Sequence, residues 1–141
     1  MRIMAIDYGD AHTGIAISDP TGFLAGYTTV INAYRPEVVA EQIAALAQEH
    51  QVEELVLGHP INMDGTRGPR SEKAHAMKAL LEERTALPVT LWDERRTTID
   101  AHQILMAGGK NAKKRKKVVD AVAASLILEG YLTYKKSHPA G

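Results

Sequence analysis

Short apolar runs separated by turn-forming residues occupy the first part of the chain. They cover residues 2–6, 13–18 and 27–31, and the segments Asp-Tyr-Gly-Asp and Asp-Pro-Thr-Gly lie between them. Runs of this length, bounded by Gly, Pro and Asp, are typical of β-strands joined by tight turns. The pattern therefore predicts an antiparallel meander of three strands.

From residue 36 onward, the pattern alternates between helix and strand. Apolar residues recur at helical spacing over residues 36–50 and 74–84, and each of these segments is followed by a strand-like run, at residues 54–58 and 89–92. Such spacing is typical of amphipathic helices. A meander followed by alternating helices and strands predicts one mixed sheet with helices packed on it.

Two further helices are predicted in the last third of the chain. The first begins near Thr97 and ends at Gly108-Gly109, because polar caps and glycines delimit helices. The second covers residues 118–134 and follows residues 110–117, of which six are basic. The predicted fold class is α/β, with a five-stranded mixed sheet and the order βββαβαβαα along the chain.

Length and composition narrow the class of protein. A chain of 141 residues fits one domain of about 100–150 residues, here 1–141. It has no cysteine, which excludes a disulfide scaffold and a thiol nucleophile. No apolar run approaches the roughly 20 residues of a membrane span, and the first residues do not resemble a secretory signal. We expect a cytoplasmic protein that does not associate with a membrane.

The net charge of zero is unevenly distributed. Residues 1–94 contain 7 basic and 14 acidic residues, whereas residues 95–141 contain 10 basic and 3 acidic residues. Such asymmetry indicates a polyanionic partner. The basic run is either a solvated entry to the last helix or a binding surface for nucleic-acid phosphates. Its candidate contacts are Lys113, Lys114, Arg115, Lys116 and Lys117.

Acidic residues at three separated positions predict a site for a divalent cation. Asp120 lies opposite the polar stripe of its predicted helix, so its carboxylate would face the sheet, unless it serves only as a favourable charge near the helix N-terminus. Asp7 and the pair Asp93-Glu94 end strands, and only one of that pair can face a given site. Each alone also fits a turn or a solvated strand end. Together they would stay ionised beside a divalent cation, and oxygen ligands favour Mg²⁺ or Mn²⁺.

Four segments resemble the YqgF/RuvX family, whose members are described as pre-16S rRNA nucleases and Holliday junction resolvases. The resemblance implies an RNase H-like fold and a hydrolase that cleaves phosphodiester bonds with divalent metal. It implies processing of the 5′ end of pre-16S rRNA in ribosomal precursor particles, with branched DNA as the alternative substrate. The segments are IDYG…TGIAISDP at 6–20, LVLGHPINMDGTRGP at 55–69, LPVTLWDERRTT at 87–98 and KKVVDAVAASLIL at 116–128.

Site residues follow from the same resemblance. The family's catalytic and metal-binding acids fall on Asp7, Glu94 and Asp120. The Lys-Arg pair that usually follows the first glycine turn is here Ala11-His12. This departure moves the expected phosphate contact to Arg95 or Arg96.

Two other classes of protein share parts of this pattern. Asp-x-Gly with a later glycine also begins the phosphate loop of ATPases of the actin and sugar-kinase type, but these need two lobes and this chain is expected to supply one. A non-enzymatic RNA-binding module for ribosome assembly would need only the basic run. Monomer and homodimer are both compatible with the sequence.

Overall fold

The computed structural model describes most of the chain, namely residues 2–9, 11–19, 25–59, 69–93 and 112–137. Within these ranges the elements follow the predicted order. The predicted helix between Thr97 and Gly108 lies outside the described residues. The strands are β1 (Ile3–Asp7), β2 (His12–Ser18), β3 (Ala25–Asn32), β4 (Glu54–His59) and β5 (Val89–Asp93), and the helices are α1 (Pro36–Glu49), α2 (Pro69–Thr85) and α3 (Ala112–Ser137).

The five strands form one mixed sheet in the order β3-β2-β1-β4-β5. The meander pairs β1 with β2 and β2 with β3 in antiparallel fashion, whereas β4 runs parallel to both β1 and β5. Each parallel neighbour is reached through a helix, as such connections require. The mixed five-stranded sheet predicted from the sequence is confirmed. The carboxyl ends of β1, β4 and β5 form one margin of this sheet, which we call the carboxyl edge.

Helices cover both faces of the sheet. Alternate residues of a strand point to opposite faces, and β1 shows this directly. Met4 and Ile6 belong to the core beneath α1 and α2, whereas Ile3 and Ala5 belong to the core beneath α3. The side of the sheet that a strand residue faces can therefore be determined from its position. None of the described helices has the length and apolar character needed to cross a membrane.

Two helices begin earlier than their apolar spacing predicts. Helix α2 begins at Pro69, five residues before the helical spacing that predicts a helix over residues 74–84, because proline fits the first turn of a helix. Helix α3 begins at Ala112 and ends at Ser137, so it extends beyond residues 118–134 at both ends. Alanine, lysine and arginine are strong helix formers. Residues 112–117 of the basic run thus form the first turns of α3 rather than a separate segment before it.

Candidate active site at the carboxyl edge

Asp7 is the last residue of β1, the central strand, and is half-buried. Along β1 it alternates in step with Ile3 and Ala5, that is, it points to the same side of the sheet as they do. Asp7 therefore lies on the face that α3 covers. Its partner in β2 is Gly14. On the other side, Ile6 pairs with Leu57 of β4, and Gly58 follows. Both neighbouring strands therefore have a glycine beside Asp7, so neither strand places a side chain next to its carboxylate.

The turn after β1 is tight. A Cβ atom on Gly9 would collide with the carbonyl oxygen of His12, so only glycine fits there. This turn brings His12 to the carboxyl edge, where Nδ1 of His12 lies 2.6 Å from Oδ1 of Asn32. Sequence reasoning gave neither residue a role. The parity of His12 with Gly14 is the signal that could have placed it on the Asp7 face.

Trp92, near the end of β5, fixes the distance between the sheet and α3. The indole is buried in the core beneath α3, and its Cζ2 atom lies 3.3 Å from the point where a Cβ on Gly130 would stand. Its ring also meets Tyr131 edge-to-face, with centroids 5.7 Å apart. Because glycine at position 130 has no side chain, α3 can lie close against the sheet there.

The described side chains of α3 lie on the buried and exposed faces that its helical periodicity predicts. Ala124 and Ile127 are buried, whereas Glu129 and Thr133 are exposed. Asp120 lies four residues before Ala124 in the same helix. The prediction that the apolar face of this helix packs on the sheet is confirmed.

Most of the predicted site residues lie outside the described part of the structure. Of the three predicted acids, only Asp7 has a described side chain, and Glu94 falls outside altogether. Among described side chains, no three acids or histidines gather as a metal site. The backbone of residues 112–117 of the basic run lies in α3. The predicted phosphate contacts without a described side chain are Arg95, Arg96, Lys113, Lys114, Arg115, Lys116 and Lys117.

A buried polar cluster anchors the other end of α3. Glu54, the first residue of β4, is buried. Its Oε2 accepts a hydrogen bond from the Tyr131 hydroxyl, and its Oε1 accepts one from Nζ of Lys135 at 2.8 Å. Burial and then the hydrogen bond to Glu54 raise the pKa of Tyr131 to about 12. This cluster lies at the edge of the sheet opposite Asp7 and fixes the position of α3 along its axis.

The raised pKa of Tyr131 predicts a loss of stability in alkali. A tyrosine in the unfolded chain ionises near a pKa of about 10, so above that pH the unfolded chain releases a proton that folded Tyr131 retains. The free energy of unfolding then falls as the pH rises. Between about pH 9 and 11.5, we expect the wild type to lose about 2 kcal/mol more than Tyr131→Phe, measured by urea denaturation. Tyr34→Phe, which alters an exposed ring, should follow the wild type. Parallel profiles for wild type and Tyr131→Phe would contradict the assignment.

Comparison with known proteins gives the same architecture and identifies the family. RuvC of Thermus thermophilus, solved with a Holliday junction substrate, superposes with a TM-score of 0.65 at 14% identity and covers 97% of this chain and 96% of its own. This likeness confirms the predicted RNase H-like fold. ROK hexokinase of the same organism has a TM-score of 0.50 at 22% identity, but only 38% of that chain is covered.

Sequence comparison is more specific. A protein of Halothermothrix orenii named "Putative pre-16S rRNA nuclease" is 46% identical over 135 residues, which are 96% of each chain. A second protein of that name, from Carboxydothermus hydrogenoformans, is 40% identical and covers 98% of this chain and 100% of its own. The family model described as "RuvX: Holliday junction resolvase" matches residues 1–134. The chain therefore belongs to the RuvX family.

Proposed function

We propose that this protein is a cytoplasmic, metal-dependent nuclease that hydrolyses phosphodiester bonds at the 5′ end of pre-16S rRNA. It would act through a single domain covering residues 1–141. The observation that carries the proposal is the position of Asp7, which ends the central strand between two glycines on the face covered by α3. The identity to proteins named pre-16S rRNA nuclease supports RNA as the substrate.

The geometry of α3 supports the approach of Asp120 to Asp7. Tyr131 bonds to Glu54 at the start of β4, and Asp120 precedes it by eleven residues, or about 16 Å of helix. From Glu54 to Gly58, beside Asp7, β4 advances by four residues, or about 13 Å. The length of α3 is therefore sufficient for Asp120 to reach the carboxyl edge, on the condition that α3 runs antiparallel to β4. Its position also shares the helix face of Ala124.

Strand parity favours Glu94 as the third acid. Val89 and Leu91 pack with the core beneath α1 and α2, whereas Trp92 packs with the core beneath α3. Position 93 is two residues from Leu91 and therefore lies on the same face of the sheet, the face opposite Asp7. If the alternation continued by one residue, Glu94 would lie on the same face as Trp92, the face that α3 covers.

The proposed donor set consists of carboxylate oxygens, which suits Mg²⁺ or Mn²⁺. Asp7, Glu94 and Asp120 would hold the ions, and the glycines beside Asp7 place no side chain next to its carboxylate. Bound ions would supply a nucleophile from water and neutralise charge on the phosphate. The basic residues at 95–96 and 113–117 would hold the strand through its other phosphates.

A second candidate is resolution of branched DNA. The family description and the likeness to RuvC over nearly the whole chain favour it. That activity would require two active sites, and hence a homodimer, to cut two strands of one junction. Processing of rRNA in ribosomal precursor particles requires only a monomer.

A paired cleavage assay tests the proposal. A pre-16S rRNA fragment and a four-way DNA junction are each incubated with the protein in Mg²⁺, in Mn²⁺ and in chelator. We expect the rRNA fragment to be cut near its 5′ end with either metal and to stay intact in chelator. Cutting of the junction alone would establish the resolvase instead. RNA binding without cleavage in any metal would select the assembly module, and ATP hydrolysis without cleavage would select the kinase-like ATPase.

A further inference from the structure

Two polar side chains form a hydrogen-bonded pair on the two strands next to β1. His12 and Asn32 face each other as register partners in β2 and β3, and Nδ1 of His12 lies 2.6 Å from Oδ1 of Asn32. The backbone N–H of Ala33 also donates to the carbonyl of Ala11 at 3.1 Å. Strand pairing thus continues past His12, which fixes the backbone of both residues at the surface.

The pair lies on the same face as the proposed catalytic acid. Gly14 is the partner of Asp7, and His12 is two residues from Gly14 in the same strand, about 7 Å along it. Ala16, of the same parity, packs in the core beneath α3, so this parity faces α3. A strand bound at Asp7 and running along the carboxyl edge therefore passes His12 and Asn32.

The hydrogen bond between the pair determines what each side chain offers to a ligand. The amide oxygen of Asn32 can only accept, so Nδ1 of His12 is the donor. In the neutral imidazole, Nε2 is then an acceptor that faces away from Asn32. The amide nitrogen of Asn32 keeps its N–H donors. The surface therefore presents one acceptor beside one donor.

This combination matches the ribose of RNA. A phosphate provides only acceptors, whereas the 2′-hydroxyl of a ribose provides a donor that DNA lacks. Resting on the proposed nuclease function, we propose that Nε2 of His12 accepts a hydrogen bond from a ribose 2′-hydroxyl while the Asn32 amide donates to the adjoining phosphate. His12 is then the specificity-determining residue that selects RNA over DNA next to Asp7, and Asn32 is a positioning residue that keeps Nε2 of His12 an acceptor.

Binding measured without cleavage tests this assignment. The affinities of a single-stranded RNA and of the DNA of equal sequence are measured in chelator, so the result does not depend on nuclease activity. We expect the wild type to prefer RNA by about tenfold, the value of one good hydrogen bond. His12→Ala and Asn32→Ala should each remove most of that preference, and the double variant should lose no more than either single one.

Two further variants sharpen the experiment. His12→Gln retains an acceptor and should keep part of the preference for RNA, and His75→Ala, which alters an exposed histidine on α2, should keep all of it. A scan of single 2′-deoxy substitutions in the RNA should find one position whose effect disappears in His12→Ala. Equal RNA preference in wild type and His12→Ala would overturn the inference. An inactive wild type that still shows the His12-dependent preference would instead refute only the nuclease proposal.

Discussion

Asp7→Asn is expected to lower the rate of rRNA cleavage by a factor on the order of 10³ or more. The substitution keeps the shape of the side chain but removes the negative charge and one anionic oxygen from the proposed metal site. Asp7 is half-buried between two glycines, so little packing is lost. We expect the free energy of unfolding to change by no more than about 0.5 kcal/mol. Single-turnover cleavage at saturating Mg²⁺ and urea denaturation measure the two effects.

Glu53→Gln is the matched control for this variant. Glu53 is exposed and directly precedes β4, at the edge of the sheet opposite Asp7, so the same change of charge falls far from the proposed site. It should cut at the wild-type rate, and both variants should bind RNA in chelator as the wild type does. Cleavage by Asp7→Asn within tenfold of the wild type would mean that the metal is held by other residues.

The fold was largely predictable because its signals are local. Apolar runs and their Gly, Pro and Asp punctuation mark the strands, and each prediction depends only on neighbours in sequence. The start of α3 was missed for the same reason. Residues 112–117 are almost all basic, so they carry no apolar periodicity, although their intrinsic preference for helix is high. Helix α2 likewise begins at Pro69, before its first periodic apolar residue.

The surroundings of Asp7 required the three-dimensional pairing. The sequence indicates that Asp7 ends a strand, but not that β1 lies between β2 and β4. Only that order brings Gly14 and Gly58 to its two sides. The hydrogen bond between His12 and Asn32 spans 20 residues of sequence, and Lys135 reaches Glu54 across 81. Such contacts depend on register, which neither composition nor periodicity determines.

The choice between Asp93 and Glu94 shows how structure narrows a sequence argument. From the sequence, alternation shows only that the two point to opposite faces. The packing of Leu91 beneath α1 and α2 and of Trp92 beneath α3 assigns a helix to each parity. That assignment supports the proposal that Glu94, rather than Asp93, is the third acid.

Asp120→Asn tests whether α3 brings a second acid to Asp7. If the two carboxylates share a divalent ion, the variant should lose cleavage by the same order of magnitude as Asp7→Asn, and the double variant should lose little more, because residues that act as a unit are not additive. Metal-linked stability gives an independent measurement. When Mn²⁺ is present at 100 times the dissociation constant of the Mn²⁺ complex, the free energy of unfolding of the wild type should rise by about 2.7 kcal/mol. That of the variant should rise far less.

In chelator, we expect Asp120→Asn to have the opposite effect on the free energy of unfolding relative to the wild type. Carboxylates held together without a cation repel each other, so removing one charge should leave the variant as stable as the wild type or more stable. If Asp120 had only a structural role in the core, the substitution would instead lower the free energy of unfolding. Glu129→Gln, on the exposed face of the same helix, should match the wild type in cleavage and in Mn²⁺-dependent stability. If Asp120→Asn keeps the full stabilisation by Mn²⁺, Asp120 is not a ligand, and the helix that covers Asp7 supplies packing alone.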